Sequence, residues 1–387
     1  MARRRAKASA TLEQLLAAKE IVICCGSGGV GKTTTAAAAG AMAASALGGK
    51  VLVVTVDPAR RLASALGLES FGNVETRVPD EAFAAAGVEC RGELWAAMLD
   101  TKRSWDDLVE RHAPDPRTRD AILQNPLYAN ITGRFVQSHD YIAMERLYEI
   151  HASGRYDLVI VDTPPTRNAL DFLEAPERMA DFFSSRLLRW LTVPYRSRIV
   201  NVATKPFYRV ADTILGSAFL EDIAEFFLLF QTMYDGFVER ARAVQRVLED
   251  KRTTFVVVST LESAPLREAE FFMAALDERR FHLGAVVLNK VLPAYLLDRD
   301  AAGAAGRLAA DPAAAAAAVS GSDDGTLERV VEEVAQSFLN FRVVATREAE
   351  QRAELARTPD VLATVPYFSS DIHDLAGLLR LGEQIWR

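Results

Sequence analysis

The chain has 387 residues, half of them hydrophobic and a quarter charged, with a formal net charge of −7. That length allows one large or two ordinary domains, and the apolar share supplies a sizeable core and excludes global disorder. The acidic balance argues against a nucleic-acid partner, and three cysteines, Cys24, Cys25 and Cys90, with no C-x-x-C pair, exclude a disulfide framework and a zinc clamp.

Residues 1–10 read as a basic tail, with Arg3, Arg4, Arg5 and Lys7 but no apolar core of a signal peptide. No apolar run reaches the ~18–20 residues of a membrane span. A cytoplasmic, reducing address is therefore expected. A short helix is predicted over 11–19. Ile21-Val22-Ile23-Cys24-Cys25 is a continuous apolar run followed by glycines, the pattern of a strand buried on both faces. Residues 33–47 are alanine-rich and helical, Gly48-Gly49 ends them, and 51–56 is a second buried strand. Strand, helix and strand in this order make a βαβ unit and hence a parallel sheet.

Further buried strands are predicted at 158–161, 255–258 and 285–288, with weaker candidates at 94–99 and 361–365. Helical patterns lie between them, as at 105–112 and 141–151. The expected fold is α/β: a doubly wound, mostly parallel sheet of about 7–8 strands with helices on both faces. Two regions break the rhythm. From about 175 to 250 the text is helical and aromatic. From 301 to 325 it is low-complexity, with six consecutive alanines from Ala313, and reads as a marginal or mobile helix plus linker. A helix rich in Glu and Arg is predicted over 327–357. The five histidines (112, 139, 151, 282 and 373) are scattered without metal-ligand spacing.

The most specific signal is Gly26-Ser27-Gly28-Gly29-Val30-Gly31-Lys32-Thr33. It fits G-x-x-x-x-G-K-[ST] and sits after a buried strand and before a helix, where a phosphate-binding loop must sit. Glycines let backbone N–H groups turn inward around phosphate oxygens, and the helix N-terminus adds its positive end. Gly28, Gly29, Val30, Gly31, Lys32, Thr33 and Thr34 are the expected nucleotide-binding residues. Lys32 reaches the β- and γ-phosphates, and Thr33 ligates Mg²⁺. Asp162 ends the strand 158–161, where a P-loop protein places the carboxylate that holds Mg²⁺, usually through water. Asp57 ends the second strand and leads Asp57-Pro58-Ala59-Arg60-Arg61. A carboxylate there can orient water for in-line attack, so Asp57 and Lys32 are the expected catalytic pair. ATP and Mg²⁺ are the expected cofactors, and no zinc.

The P-loop, then Asp57-Pro58-Ala59, then Asp162-Thr163-Pro164-Pro165-Thr166, together resemble the ArsA family. That family holds the arsenite-pump ATPases and the ATPases that target tail-anchored membrane proteins. Val257-Val258-Ser259-Thr260-Leu261-Glu262 and Val286-Val287-Leu288-Asn289-Lys290 resemble its late strand–helix–strand unit. The resemblance implies that Asn289 contacts adenine, that two subunits assemble, and that ATP drives opening and closing. The resemblance also implies an α/β core with a helical subdomain, and with the reading of the chain this gives a basic tail and short helix over 1–19, then one P-loop ATPase domain over 20–387. That domain carries a helical subdomain at about 175–250 and the alanine-rich segment at about 301–325.

The departures from the family pattern are specific. Relatives carry a lysine where this chain has Ser27, and that lysine reaches the partner's phosphates across the dimer. Three readings stay open: a lysine-bearing paralogue completes a heterodimer, Arg60 or Arg61 substitutes, or the chain hydrolyses ATP slowly. The zinc-binding C-x-x-C of the eukaryotic targeting factors and the arsenite-binding cysteine cluster of the pumps are both absent from the sequence.

In the helical insert, 12 of the chain's 32 aromatic residues fall between 176 and 240, about twice an even share. Phe219, Ile223, Phe226, Phe230, Met233 and Phe237 recur at helical spacing as one apolar stripe. The stripe is either a second core or a groove for an apolar cargo, such as a membrane-protein segment or a lipid-like ligand. The lead reading is a dimeric, ATP-hydrolysing switch that couples nucleotide state to such a cargo. The alternatives are a catalytically weak partner subunit and a MinD/ParA-like positioning ATPase. Partners follow from these readings: a homodimer, or more readily a heterodimer with a lysine-bearing paralogue. Peripheral membrane contact stays open, without a transmembrane segment.

Overall fold

The computed structural model describes residues 10–56, 61–68, 72–128, 136–163, 226–229, 232–320, 325–355, 359–368 and 370–386, with isolated positions at 174, 175, 178 and 181. Its centre is β1 (Ile21–Cys25), in which every residue is buried. Val22 and Cys24 face one apolar layer, while Ile21, Ile23 and Cys25 face the other. This is why the run reads as unbroken rather than alternating. Burial pushes the Cys25 thiol up to about 12 and raises Cys24 as well, so both behave as small apolar residues.

Around β1 lie β2 (Lys50–Thr55), β3 (Thr76–Arg77), β4 (Glu93–Met98), β5 (Leu158–Asp162), β6 (Thr253–Ser259), β7 (Leu283–Val291) and β8 (Val361–Pro366). They form one eight-stranded sheet in the order β3-β4-β2-β5-β1-β6-β7-β8. All neighbours are parallel except β3, which runs antiparallel to β4. The α/β, mostly parallel sheet expected from the sequence is the one observed. The two-residue edge strand β3 is an addition to it.

Helices cover both faces. α1 (Leu12–Ala17) begins with a capping box: Gln14 N–H donates to the Thr11 hydroxyl, and Thr11 N–H donates back to Gln14 Oε1. α2 (Lys32–Met42) follows the P-loop and runs into a π-helical turn over Ala43–Leu47. On the same face lie α3 (Arg61–Ala65) and α4 (Asp80–Ala85). The opposite side carries α5 (Thr101–His112), α6 (Pro116–Gln124), α7 (Val136–Ala152), α8 (Tyr234–Glu249) and α9 (Ser263–Glu278). Trp105, Leu108, Val109, Ile122, Tyr128 and Tyr141 make a third core cluster there, joined by Phe226 and Met233.

α7 and α8 are tied by charge. Glu145, 1 % exposed, meets Arg240 Nε at 2.6 Å and accepts from the Tyr141 hydroxyl at 2.9 Å. Burial raises the Glu145 carboxyl above its usual range, against the pull of Arg240. His112, Glu145 and Glu149 bring ligand atoms within 4.8 Å of one another, a clustering the sequence spacing did not reveal. Arg111 and Arg146 pair with Glu149, as Arg240 does with Glu145, so the group forms an ion-pair network.

The alanine-rich stretch is helical over α10 (Arg299–Ala310) and α11 (Pro312–Ser320). Asp298 caps α10 by accepting from Asp300 and Ala301 N–H. Both helices pack on the 31-residue α12 (Gly325–Leu355). Alanine has the highest helix propensity but little surface to bury, and α12 supplies the packing partner. α13 (Leu375–Trp386) closes the chain, with Leu375, Leu378, Leu379, Leu381, Ile385 and Trp386 buried in the same apolar layer as α2. Among the described residues no helix is long and apolar enough to cross a membrane.

Candidate nucleotide site

The P-loop leaves β1 at Gly26. A Cβ there would lie 2.1 Å from the Val258 carbonyl oxygen, so only glycine allows the loop to leave this close to β6. Gly28 and Gly29 are exposed at the tip of the loop, and Val30 is buried. Gly31 caps α2 with φ +96°, the left-handed region in which side chains are strained. A Cβ on Gly31 would also lie 2.3 Å from Asn289 Nδ2.

Lys32 is buried, and its ammonium donates back across the loop to the Ser27 carbonyl at 2.9 Å. Thr33 and Thr34 are half-buried on the first turn of α2. The Thr33 hydroxyl donates to Asp162 Oδ2 at 2.7 Å. Thr55, the last residue of β2, donates to the same oxygen at 2.9 Å. Asp162 is fully buried at the end of β5, where β5 pairs with β1 on one side and β2 on the other. The next residue is fixed too, since the Thr163 hydroxyl donates to the Cys24 carbonyl at 2.8 Å.

The donor set fits Mg²⁺ and a polyphosphate. Thr33 and Asp162 offer hard oxygen ligands side by side, as a divalent cation on phosphate requires. The Ser27 and Thr35 hydroxyls are buried in and beside the loop and meet no hydrogen-bond partner there. Buried polar atoms of that kind call for a partner. The N-terminal end of α2 supplies the positive dipole pole.

The structure brings together Gly28, Gly29, Val30, Gly31, Lys32, Thr33, Thr34, Asp162 and Asn289. Asn289 Nδ2 donates to the Val30 carbonyl at 2.8 Å, a contact with the P-loop that the sequence did not announce. Thr55 was also missed. Its signal was a hydroxyl residue inside the apolar run of β2, fully buried and therefore in need of a partner. Asp57 and Arg60 lie outside the described residues, as does the Arg61 side chain. Of the aromatic stripe, Phe226 is 2 % exposed and Met233 3 %, both in the third core cluster. Phe219, Ile223, Phe230 and the Phe237 side chain lie outside the described residues.

Comparison with known proteins agrees with this geometry. The sequence model of the anion-transporting ATPase family matches residues 19–302. A putative arsenical pump-driving ATPase of Chlorobaculum tepidum is 23 % identical over 253 residues, covering 65 % of this chain and 56 % of the relative. A putative arsenical pump-driving ATPase of Aquifex aeolicus is 25 % identical over 265 residues, covering 66 % and 59 %. An ATPase described as an ASNA1 homolog, from Entamoeba dispar, is 26 % identical over 254 residues, covering 63 % and 67 %. The chain thus spans somewhat more than half the length of the two pump-driving relatives. With a P-loop on β1, a buried Asp162 beside Thr33 and a family match across most of its length, the chain belongs to the anion-transporting ATPase, or ArsA, family.

Proposed function

We propose that this chain binds Mg·ATP at the P-loop and hydrolyses it as one half of a nucleotide-switched dimer. The observation that carries the reading is the junction of Thr33, Asp162 and Thr55. A metal-ligating hydroxyl and a buried carboxylate are held within hydrogen-bond distance at the start of the P-loop helix. Their strands and helix come from three separate parts of the chain.

In this reading Lys32 leaves the Ser27 carbonyl and places its ammonium on the β- and γ-phosphates. Thr33 and Asp162 hold Mg²⁺, which neutralises phosphate charge when bound. Asp57 orients the attacking water, and the backbone N–H groups of Gly28 to Thr34 hold the phosphates. The segments after Asp57 and Asp162 carry the nucleotide state to the helical insert. An apolar cargo, as in the targeting branch of the resemblance, is the proposed load. Arsenite is not, because Cys24 and Cys25 are buried in β1 and only Cys90 remains.

Ser27 favours a second reading, a subunit that depends on a lysine-bearing partner. Its hydroxyl cannot supply a positive charge in trans, and such a charge is worth ~10³–10⁵ in rate in related phosphoryl transfers. ATPase assays on the chain alone, on its Ser27→Lys variant and on co-purified partner chains separate the two. A faster Ser27→Lys homodimer supports the missing-lysine account. An unchanged rate, in a sample shown to dimerise with ATP, refutes it.

A further inference from the structure

β7 is irregular where it meets the P-loop. Its pairing with β8 advances three residues, from Leu288 to Val291, while β8 advances two, from Thr364 to Pro366. The extra residue is a bulge at Asn289 and Lys290, the kind of irregularity that re-aims a side chain. Lys290 has φ +58°, a left-handed conformation that is strained for a non-glycine residue. Its N–H donates to Asn289 Oδ1 at 2.9 Å. The Asn289 amide is thereby oriented with its oxygen on Lys290 and its nitrogen on the Val30 carbonyl.

Val30 C=O and Gly31 N–H belong to one planar trans peptide, so they point in opposite directions. Holding the carbonyl toward β7 turns the Gly31 N–H away from it. Gly31 also leaves room for this approach, since a Cβ would collide with Asn289 Nδ2. A strained residue, a bulge and a glycine with no space for a side chain thus converge on the orientation of one peptide.

We propose that Asn289 is a positioning residue for the phosphates: through Val30 it locks the Val30–Gly31 peptide with its N–H on the phosphate side. This deepens the Mg·ATP reading and rests on it. It assigns Asn289 a function that does not depend on the base, in addition to the adenine contact implied by the family resemblance.

The test is calorimetric binding, with magnesium chloride present, of ADP and of tripolyphosphate, which has no base. Asn289→Ala is expected to weaken tripolyphosphate roughly tenfold, as for one lost hydrogen bond in a preorganised site, and ADP by at least as much, since any contact with the base is lost with it. Asn289→Asp keeps the acceptor for Lys290 N–H but sets a carboxylate oxygen against the Val30 carbonyl, so it is expected to weaken both further. The unfolding midpoint of the ligand-free variants reports any loss of fold, and the ratio of the two affinities is read only within one protein. Loss of ADP binding with tripolyphosphate unchanged overturns the proposal and leaves a base reader. Unchanged binding of both also overturns it. A wild-type chain that binds neither ligand overturns the phosphate-site reading itself, and the lock with it.

Discussion

Thr55 and Asp162 meet at 2.9 Å although they lie 107 positions apart in sequence. Each ends its strand, and the register of β2 and β5 pairs them directly, Thr55 opposite Asp162. The carboxylate is thus held from β2 as well as from Thr33 at the start of α2. Groups behind a metal ligand commonly change metal affinity by about 10–100-fold when removed. Thr55→Val keeps the shape and removes the hydroxyl. The expected result is a Mg²⁺ requirement for nucleotide binding shifted upward by about tenfold. A magnesium titration at fixed ATP checks this, and an unchanged midpoint refutes the supporting role of Thr55.

Phe226 is expected to behave as core. It packs edge-on against Phe227 with ring centroids 5.2 Å apart and is 2 % exposed. Phe226→Ala should cost about 3–5 kcal/mol, measured as a shift in the denaturant midpoint at constant slope. A loss below about 1 kcal/mol, with altered binding of an apolar dye, would place Phe226 on the wall of a ligand groove instead.

The Glu145–Arg240 pair joins α7 to α8, and its two members should be unequal to their sum. Arg240→Leu leaves a buried carboxylate without its cation and should cost about 3–5 kcal/mol. Replacing Glu145 by Leu as well should recover much of that loss. A double-mutant cycle with no coupling would show that the contact is idle. Burial raises the folded carboxyl, so the Glu145 contribution to stability is greatest at low pH. It declines as pH rises through the interval between the unfolded value and the raised one.

Just before β6 the sign reverses. The Arg252 side chain, and then its backbone N–H, hold the Asp250 carboxyl down at about 2. The Asp250 contribution is complete above its ordinary value of 3.8 and disappears as pH falls toward 2. The pair is largely exposed, so its effect on stability is small and screened by salt. Carboxyl NMR titration should give a midpoint near 2 that returns toward 3.8 in Arg252→Ala. A wild-type midpoint at the ordinary value refutes the assignment.

Much of this architecture was legible because its signals are local. The apolar runs at 21–25, 158–161 and 255–258 each have enough buried text to mark a strand, and the P-loop carries its own flanking context. The two-residue β3 has no such text, since Thr76 and Arg77 form a strand only by pairing with β4. The alanine-rich helices were ambiguous because alanine signals helix without showing what the helix packs on. In the site, Lys32, Thr33 and Asp162 were readable from motif and strand end. The contacts of Thr55 and Asn289 were not, because each joins residues more than 100 positions apart in sequence. The bulge that aims Asn289 comes from register between β7 and β8, which no local pattern encodes.

In the proposed function, Lys32 and its loop bind the phosphates of ATP. The most direct measurement is the calorimetric affinity of Mg·ATP for the wild-type chain and for Lys32→Ala. Removing a buried ammonium from the β- and γ-phosphates should lower affinity by about 100-fold or more while the unfolding midpoint of the ligand-free protein stays near wild type. Equal affinity in the two proteins would contradict the account.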